Sequence, residues 1–296
     1  MNRVLGKVTI ITGAARGQGE AHTRLFASEG AKVLMTDVLD APGSAVAQEL
    51  RDAGYDVHYL HMDVTSEADW IAVVKEAEAR WGRVDILLNN AGIVGSMKGA
   101  HEEELSAWTK LTAINQQGVF LGIKHAVPAM QRAGGGSIVN VCSINGQVGG
   151  AGSFSYQASK GAVRMMTKAA AMQYVKDNIR VNVLCPTLVP TNIIKNGRIP
   201  GRYSRLADHA LAAHFLHAAV GVGDQPVPAE QARGHAAGVL DPDGVGEDVA
   251  VVLRDRLVVE EAGGDADLDG VRRVHARHST QGRRPRGANA GRPRAA

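Results

Sequence analysis

Apolar residues in this chain gather into short, nearly continuous runs separated by longer stretches of helical spacing. The runs are Lys7 to Thr12 (K-V-T-I-I-T), Lys32 to Thr36, Asp56 to Met62, Val84 to Leu88, Ser137 to Cys142 and Asn178 to Leu184. Such runs, without polar alternation, read as strands of a parallel sheet covered on both faces. Between them, helical periodicity runs from the glycines after Thr12 through Ala27 (ended by Gly30), from Pro42 to Ala53, from a Ser66 cap to Trp81, from Leu105 to Met130, and from Ser155 to Tyr174. Strand and helix alternate, which predicts an α/β fold: a Rossmann-like doubly wound parallel sheet in one domain, residues 1–198.

Past Arg198 the pattern stops. No Lys follows Lys195, no Ile follows Ile199, no aromatic follows Phe215, and the last acid is Asp269. Residues 199–296 therefore read as an atypical tail rich in Arg, Ala and Gly, basic from Arg272 to Arg294. One origin is a partly disordered basic extension. The composition favours another, an out-of-frame reading of a GC-rich gene beginning near residues 196–206, which yields Arg without Lys and loses Ile and aromatics. No aromatic residues interleave with the arginines, so nucleic acid is not an expected partner.

Bulk composition adds little more. With 296 residues, 45% of them apolar, and a net charge of +3, the chain has material for a core and no charge-selected partner. Cys142 and Cys185 sit in apolar surroundings and read as buried thiols in a reducing compartment. The N-terminus (M-N-R-V-L-G-K) lacks a signal-peptide layout, and no apolar run approaches the ~18 residues of a membrane span. The expected location is cytoplasmic.

The polar residues that break these patterns fall at strand ends. The first strand runs into Thr12-Gly13-Ala14-Ala15-Arg16-Gly17-Gln18-Gly19 and then a helix. In that context Gly13 allows a tight turn, Gly17 lets backbone approach a pyrophosphate, and Gly19 lets the helix pack on the sheet. The helix N-terminus then offers free N–H groups to phosphates. Asp37 ends the second strand, where a carboxylate accepts bonds from ribose hydroxyls and repels a 2′-phosphate, favouring NAD over NADP. Arg16 pulls the other way. Asp63 ends the third strand, suited to an adenine amino group or to capping the next helix, and Asn89-Asn90-Ala91-Gly92 ends the fourth as a binding or structural turn. Asn115 interrupts the Leu105–Met130 helix, as a distortion or as an exposed Asn. Tyr156 and Lys160 lie four apart on one helix face, with Ser143 at the end of the fifth strand. A phenol of pKa near ~10 beside an ammonium becomes a usable acid or base, although a Y-x-x-x-K spacing alone describes many half-buried helix tyrosines.

Taken in order, T-G-A-A-R-G-Q-G from Thr12, Asp37, Asp63-Val64, N-N-A-G from Asn89, Asn115, Ser143, Y-Q-A-S-K from Tyr156 and P-T-L-V-P-T from Pro186 resemble the short-chain dehydrogenase/reductase family over residues 4–197. The resemblance implies that Tyr156 is the general acid/base, that Lys160 lowers its pKa and bonds the nicotinamide ribose, that Ser143 orients the substrate oxygen, and that Asn115 holds a water linking Lys160 to solvent. It implies a cofactor site of Gly13, Arg16, Gly17, Gln18, Gly19, Asp37, Val38, Asp63, Val64, Asn89, Ala91, Gly92, Tyr156, Lys160 and Pro186. Val189 and Thr191 would contact the carboxamide. Thr187 stands where the family has a glycine after the proline. G-Q-G with P-T-x-V-x-T is similar to members acting on alicyclic, terpenoid or steroid alcohols, without the longer insertion those carry after the second strand. Ile144, Gly150 and Phe154 are the pocket candidates.

The expected activity is NAD-dependent interconversion of a secondary alcohol, alicyclic or steroid-like, and its ketone. The alternative is a cofactor-binding protein without useful turnover, because the C-terminal substrate and oligomer region is lost. The family forms homodimers or homotetramers, an expectation the tail sequence puts in question.

Overall fold

The computed structural model describes residues 2–150, 152–186, 216 and 218–220. Six strands form one parallel sheet in the order β3-β2-β1-β4-β5-β6. They are β1 (Val8–Thr12), β2 (Lys32–Asp37), β3 (Val57–His61), β4 (Ile86–Asn89), β5 (Gly136–Val141) and β6 (Ile179–Leu184). Helices α1 (Gly17–Ser28), α2 (Asp40–Asp52), α3 (Glu67–Trp81), α4 (Leu105–Thr112), α5 (Gly118–Arg132) and α6 (Phe154–Tyr174) connect them. The chain winds outward from β1 to β3, returns to β4 beside β1, and winds outward the other way. The crevice at that reversal, beyond the strand carboxyl ends, is where such sheets take ligands.

The apolar runs are continuous because both sheet faces are covered. Val8, Ile10, Leu34, Leu87 and Ile138 point into a core with Trp70, Val73 and Val119 from α3 and α5. Their neighbours Ile11, Val33, Met35, Leu88 and Val139 point the other way, into a core with Phe26, Ala27, Ala47 and Leu50 from α1 and α2. Strand period two supplies the two sets.

Ser66 caps α3 as its residue type predicts, accepting from the Asp69 N–H at 3.2 Å. Arg16 at the N-cap of α1 gives no side-chain bond. The Leu105–Met130 stretch is helical as expected but not regular, since Ala113–Gln117 between α4 and α5 forms a π-helical turn around Asn115. Sequence periodicity does not reach residues 216 and 218–220, which are helical. Leu216 and Ala219 are buried in the α1–α2 face core with Val139 and Leu184. The Ala218 carbonyl accepts from Arg180 at 3.2 Å. The expectations for Val189, Thr191 and the rest of the tail fall outside the described residues. Among the described residues no helix is long and apolar enough to cross a membrane.

Candidate active site

The turn between β1 and α1 leaves no room for a side chain at Gly13 or Gly19. Gly13 and Gly17 have φ of +64° and +59°, in the left-handed region that favours glycine. A Cβ on Gly19 would lie 2.0 Å from the Gly13 carbonyl oxygen. Asn90 holds this turn, its amide donating to the Thr12 carbonyl at 2.9 Å and the Gly13 carbonyl at 3.2 Å. Thr12 Oγ1 in turn accepts from the Asn90 and Ala91 N–H groups. Arg16 is exposed and leaves the first-turn N–H groups of α1 without a side-chain cap, so they present the partial positive charge of the helix end. Asp37 borders this cradle. Its carboxylate accepts from the Ala15 N–H at 3.0 Å and the Leu39 N–H at 3.1 Å. A turn with no space for a Cβ at Gly13 or Gly19, an uncapped helix end and a fixed carboxylate fit a dinucleotide.

The second cluster sits at the ends of β5 and β6. Ser143 follows β5 and is buried. Its hydroxyl accepts from the Asn145 N–H at 3.3 Å, and its side chain is close enough to Tyr156, the third residue of α6, to influence the phenol. Lys160, one turn on, is 4% exposed, and its Nζ lies 5.7 Å from the Tyr156 ring centre. That Nζ donates to the Val141 carbonyl at 2.8 Å. Asn115 faces the cluster from the π turn, fully buried, and binds the Ile93 backbone twice: Oδ1 accepts from its N–H at 2.8 Å and Nδ2 donates to its carbonyl at 2.9 Å. The same amide reaches Ser159 Oγ at 3.3 Å. Gly92 lies between: a Cβ there would sit 3.3 Å from Asn115 Oδ1 and 3.6 Å from Lys160 Nζ.

A glycine-turn dinucleotide cradle and a Ser-Tyr-Lys cluster thus lie at the carboxyl ends of the strands of one sheet, and residues 7–199 match the family described as short chain dehydrogenase. The chain belongs to that family. Members are oxidoreductases that use nicotinamide dinucleotides. Over 195 residues the chain is 42% identical to a 2,5-dichloro-2,5-cyclohexadiene-1,4-diol dehydrogenase of Sphingobium indicum, covering 66% of this chain and 78% of that enzyme. It is 43% identical to a 3-alpha-(or 20-beta)-hydroxysteroid dehydrogenase of Mycobacterium bovis, covering 64% and 71%. The crystal structure of a putative short-chain dehydrogenase/reductase from Burkholderia xenovorans superposes with a TM-score of 0.67 at 34% identity, covering 73% and 90%.

Burial pushes the Tyr156 phenol up, opposed by the Ser143 side chain. Burial lowers the Lys160 ammonium to about 8, and its Nζ donates to the Val141 carbonyl. Beneath the cluster, Cys142 and Cys185 are free buried thiols, and Cys142 Sγ lies 3.1 Å from the Lys160 carbonyl.

The remaining expected site residues sit as follows. Asn89 is 3% exposed and its amide donates to Asn140 Oδ1 at 2.8 Å, so its side chain belongs to the sheet interior. Its neighbour Asn90 is the amide on the glycine turn. Asp63 is exposed and accepts from the Thr65 N–H and hydroxyl, both at 2.8 Å; Ser66 takes the capping role. Val38 stands 53% exposed beside Asp37, while Val64 is buried. Gln18 is half-buried in the first turn of α1, and Ala91 is half-buried beyond β4. Pro186 is buried and its carbonyl accepts from the Ile144 N–H at 2.9 Å. Gly150 is stapled by Gln157, giving its N–H to Oε1 at 2.8 Å and accepting from Nε2 at 3.1 Å. Phe154 is 52% exposed, its ring 5.9 Å from Trp108.

Proposed function

We propose that this chain interconverts a secondary alcohol and its ketone using NAD, with an alicyclic or steroid-like substrate. The juxtaposition of Ser143, Tyr156 and Lys160 beside the glycine cradle carries this reading. A nicotinamide dinucleotide in the cradle supplies the hydride acceptor or donor. Ser143 holds the substrate oxygen, and Tyr156 Oη takes the proton from the alcohol or returns it to the ketone. The buried Lys160 ammonium is the cation that favours phenolate once its charge is offered to the site instead of to Val141. Asp37, fixed by two backbone N–H groups, accepts from ribose hydroxyls and disfavours a 2′-phosphate. Gly13, Gly17, Gly19, Ala91 and Gly92 allow close backbone approach. Pro186 precedes Val189 and Thr191, which lie outside the described residues and are proposed carboxamide contacts.

The substrate class rests on two supports. Val148 and Phe154, in the segment joining Ser143 to Tyr156, are 58% and 52% exposed, an apolar surface suited to a hydrocarbon ring. The relatives named above act on a cyclic diol and on hydroxysteroids. Steady-state oxidation of a panel of cyclic secondary alcohols with NAD and NADP tests the reading. Wild type turns over with NAD preferred, and Tyr156→Phe loses at least about a hundredfold in kcat, the scale of general acid–base catalysis. NAD binding without turnover on the panel favours the non-catalytic alternative, and undiminished turnover by Tyr156→Phe overturns the assigned role.

A further inference from the structure

Outside the Ser-Tyr-Lys cluster, one polar chain ends on the backbone of Tyr156. Ser153 is the N-cap of α6, and its Oγ accepts from the Tyr156 N–H at 3.4 Å. Ser153 Oγ and Ser155 Oγ are 3.3 Å apart. Ser155 Oγ donates to Glu103 Oε1 at 2.5 Å. A carboxylate only accepts, so it fixes the direction of the whole chain. Tyr156 N–H donates to Ser153, Ser153 to Ser155, and Ser155 to Glu103. Ser153 and Ser155 are 3% and 0% exposed, so no water competes for these hydroxyls. Gly95 closes the other side, where a Cβ would come within 2.5 Å of Ser153 Oγ and 2.6 Å of Ser155 Oγ.

Two features set this apart from ordinary capping. No acid lies in the first turn of α6 itself, and Glu103 brings a negative charge to that helix end from 52 residues away. Glu103 Oε2 is also shielded from solvent with no hydrogen-bond partner among the described residues. A shielded, unpartnered carboxylate oxygen costs stability, and Ser153 alone would cap the helix. The arrangement spends stability on orientation.

We propose that Glu103 is a positioning residue for Tyr156, acting through Ser155 and Ser153 to lock the first turn of α6 in the orientation proton transfer needs. The proposal rests on the catalytic reading of Tyr156 above. A rigid start to α6 holds Tyr156 in line with Ser143, and a small displacement there carries a large rate penalty.

The test uses the full chain and four variants: Glu103→Ala, Glu103→Gln, Ser155→Ala, and the Glu103→Ala/Ser155→Ala double. Steady-state rates with NAD and a cyclic alcohol are read beside hydrogen–deuterium exchange of residues 154–157. Glu103→Ala and Ser155→Ala each lose about tenfold in kcat while KM for NAD changes less than about twofold, the signature of lost transition-state geometry. The double variant loses no more than the worse single variant, because both act through one chain. Glu103→Gln keeps the acceptor and stays within about threefold of wild type. Exchange at 154–157 rises equally in the three alanine variants. Wild-type kcat in the single variants, multiplicative loss in the double, or unchanged exchange overturns the proposal. A wild type without turnover sinks the catalytic reading instead, and exchange alone then decides whether the chain orders α6.

Discussion

Replacing Gly19 with alanine drives a methyl group into the turn that forms the proposed phosphate cradle. The new Cβ would lie 2.0 Å from the Gly13 carbonyl oxygen, 2.7 Å from its carbon and 2.8 Å from Asn90 Nδ2. An ordinary contact needs more than an ångström of retreat, and Gly13 is itself closely approached, since a Cβ built on it would lie 2.9 Å from Ala91 Cα. Overpacking of this kind costs about 1–3 kcal/mol. Displacing Asn90 from the Gly13 carbonyl, now 3.2 Å away, adds about 1 kcal/mol. Alanine's helix propensity returns at most about 1 kcal/mol. The net expectation is a destabilisation of about 1–3 kcal/mol, with NAD affinity down at least about tenfold because the backbone that meets the phosphates has moved. Urea unfolding followed by circular dichroism gives the first quantity, and titration calorimetry with NAD the second. Gly149→Ala is the control: nothing lies within 4 Å of its Cβ position, so stability should stay within about 0.5 kcal/mol. An unfolding midpoint and NAD affinity in Gly19→Ala equal to wild type would refute the steric account of the cradle.

Two further outcomes follow from the buried polar groups. Asn115→Ala should cost about 2–4 kcal/mol in urea unfolding, because the Ile93 N–H and carbonyl both lose a buried partner; a loss under about 0.5 kcal/mol would mean the π turn does not depend on Asn115. Lys160 has its folded pKa depressed from 10.5 to about 8 by burial. The unfolded chain therefore binds the extra proton between those values, and stability rises with pH across that window. Relative to Lys160→Met, the cofactor-free wild type should gain about 3 kcal/mol between pH 7.5 and 10.5. A flat difference between the two would show that Lys160 is not charged and desolvated below pH 8.

Much of the frame was legible because its signals are local. The strands begin and end within two residues of their apolar runs. Ser66 caps α3, and the interior Asn115 does mark a distorted helix, since an amide that competes for backbone partners unsettles a regular turn. What stayed unread lies at places where a partner is far along the chain. Sequence does not say which of two adjacent asparagines turns inward: Asn89 meets Asn140 on the neighbouring strand and Asn90 meets the turn after β1. It places Lys160 on the face of Tyr156 but not its Nζ on the Val141 carbonyl. Nothing in the spacing of Glu103 and Ser155 announces their bond, and the composition beyond Arg198 hides the buried Leu216 and Ala219.

By itself, then, the sequence determined the doubly wound sheet and the order in which cradle, Asn115, Ser143, Tyr156 and Lys160 appear. Hydrophobic period and glycine placement act over a few residues and survive without knowledge of neighbours. The tertiary structure decided the charges and the orientations. How far Tyr156 and Lys160 are stripped of water, which carbonyl receives the ammonium, and what holds the start of α6 depend on groups brought together from separate strands and loops. Desolvation and hydrogen-bond direction are properties of that packed neighbourhood, and no single stretch of chain carries them.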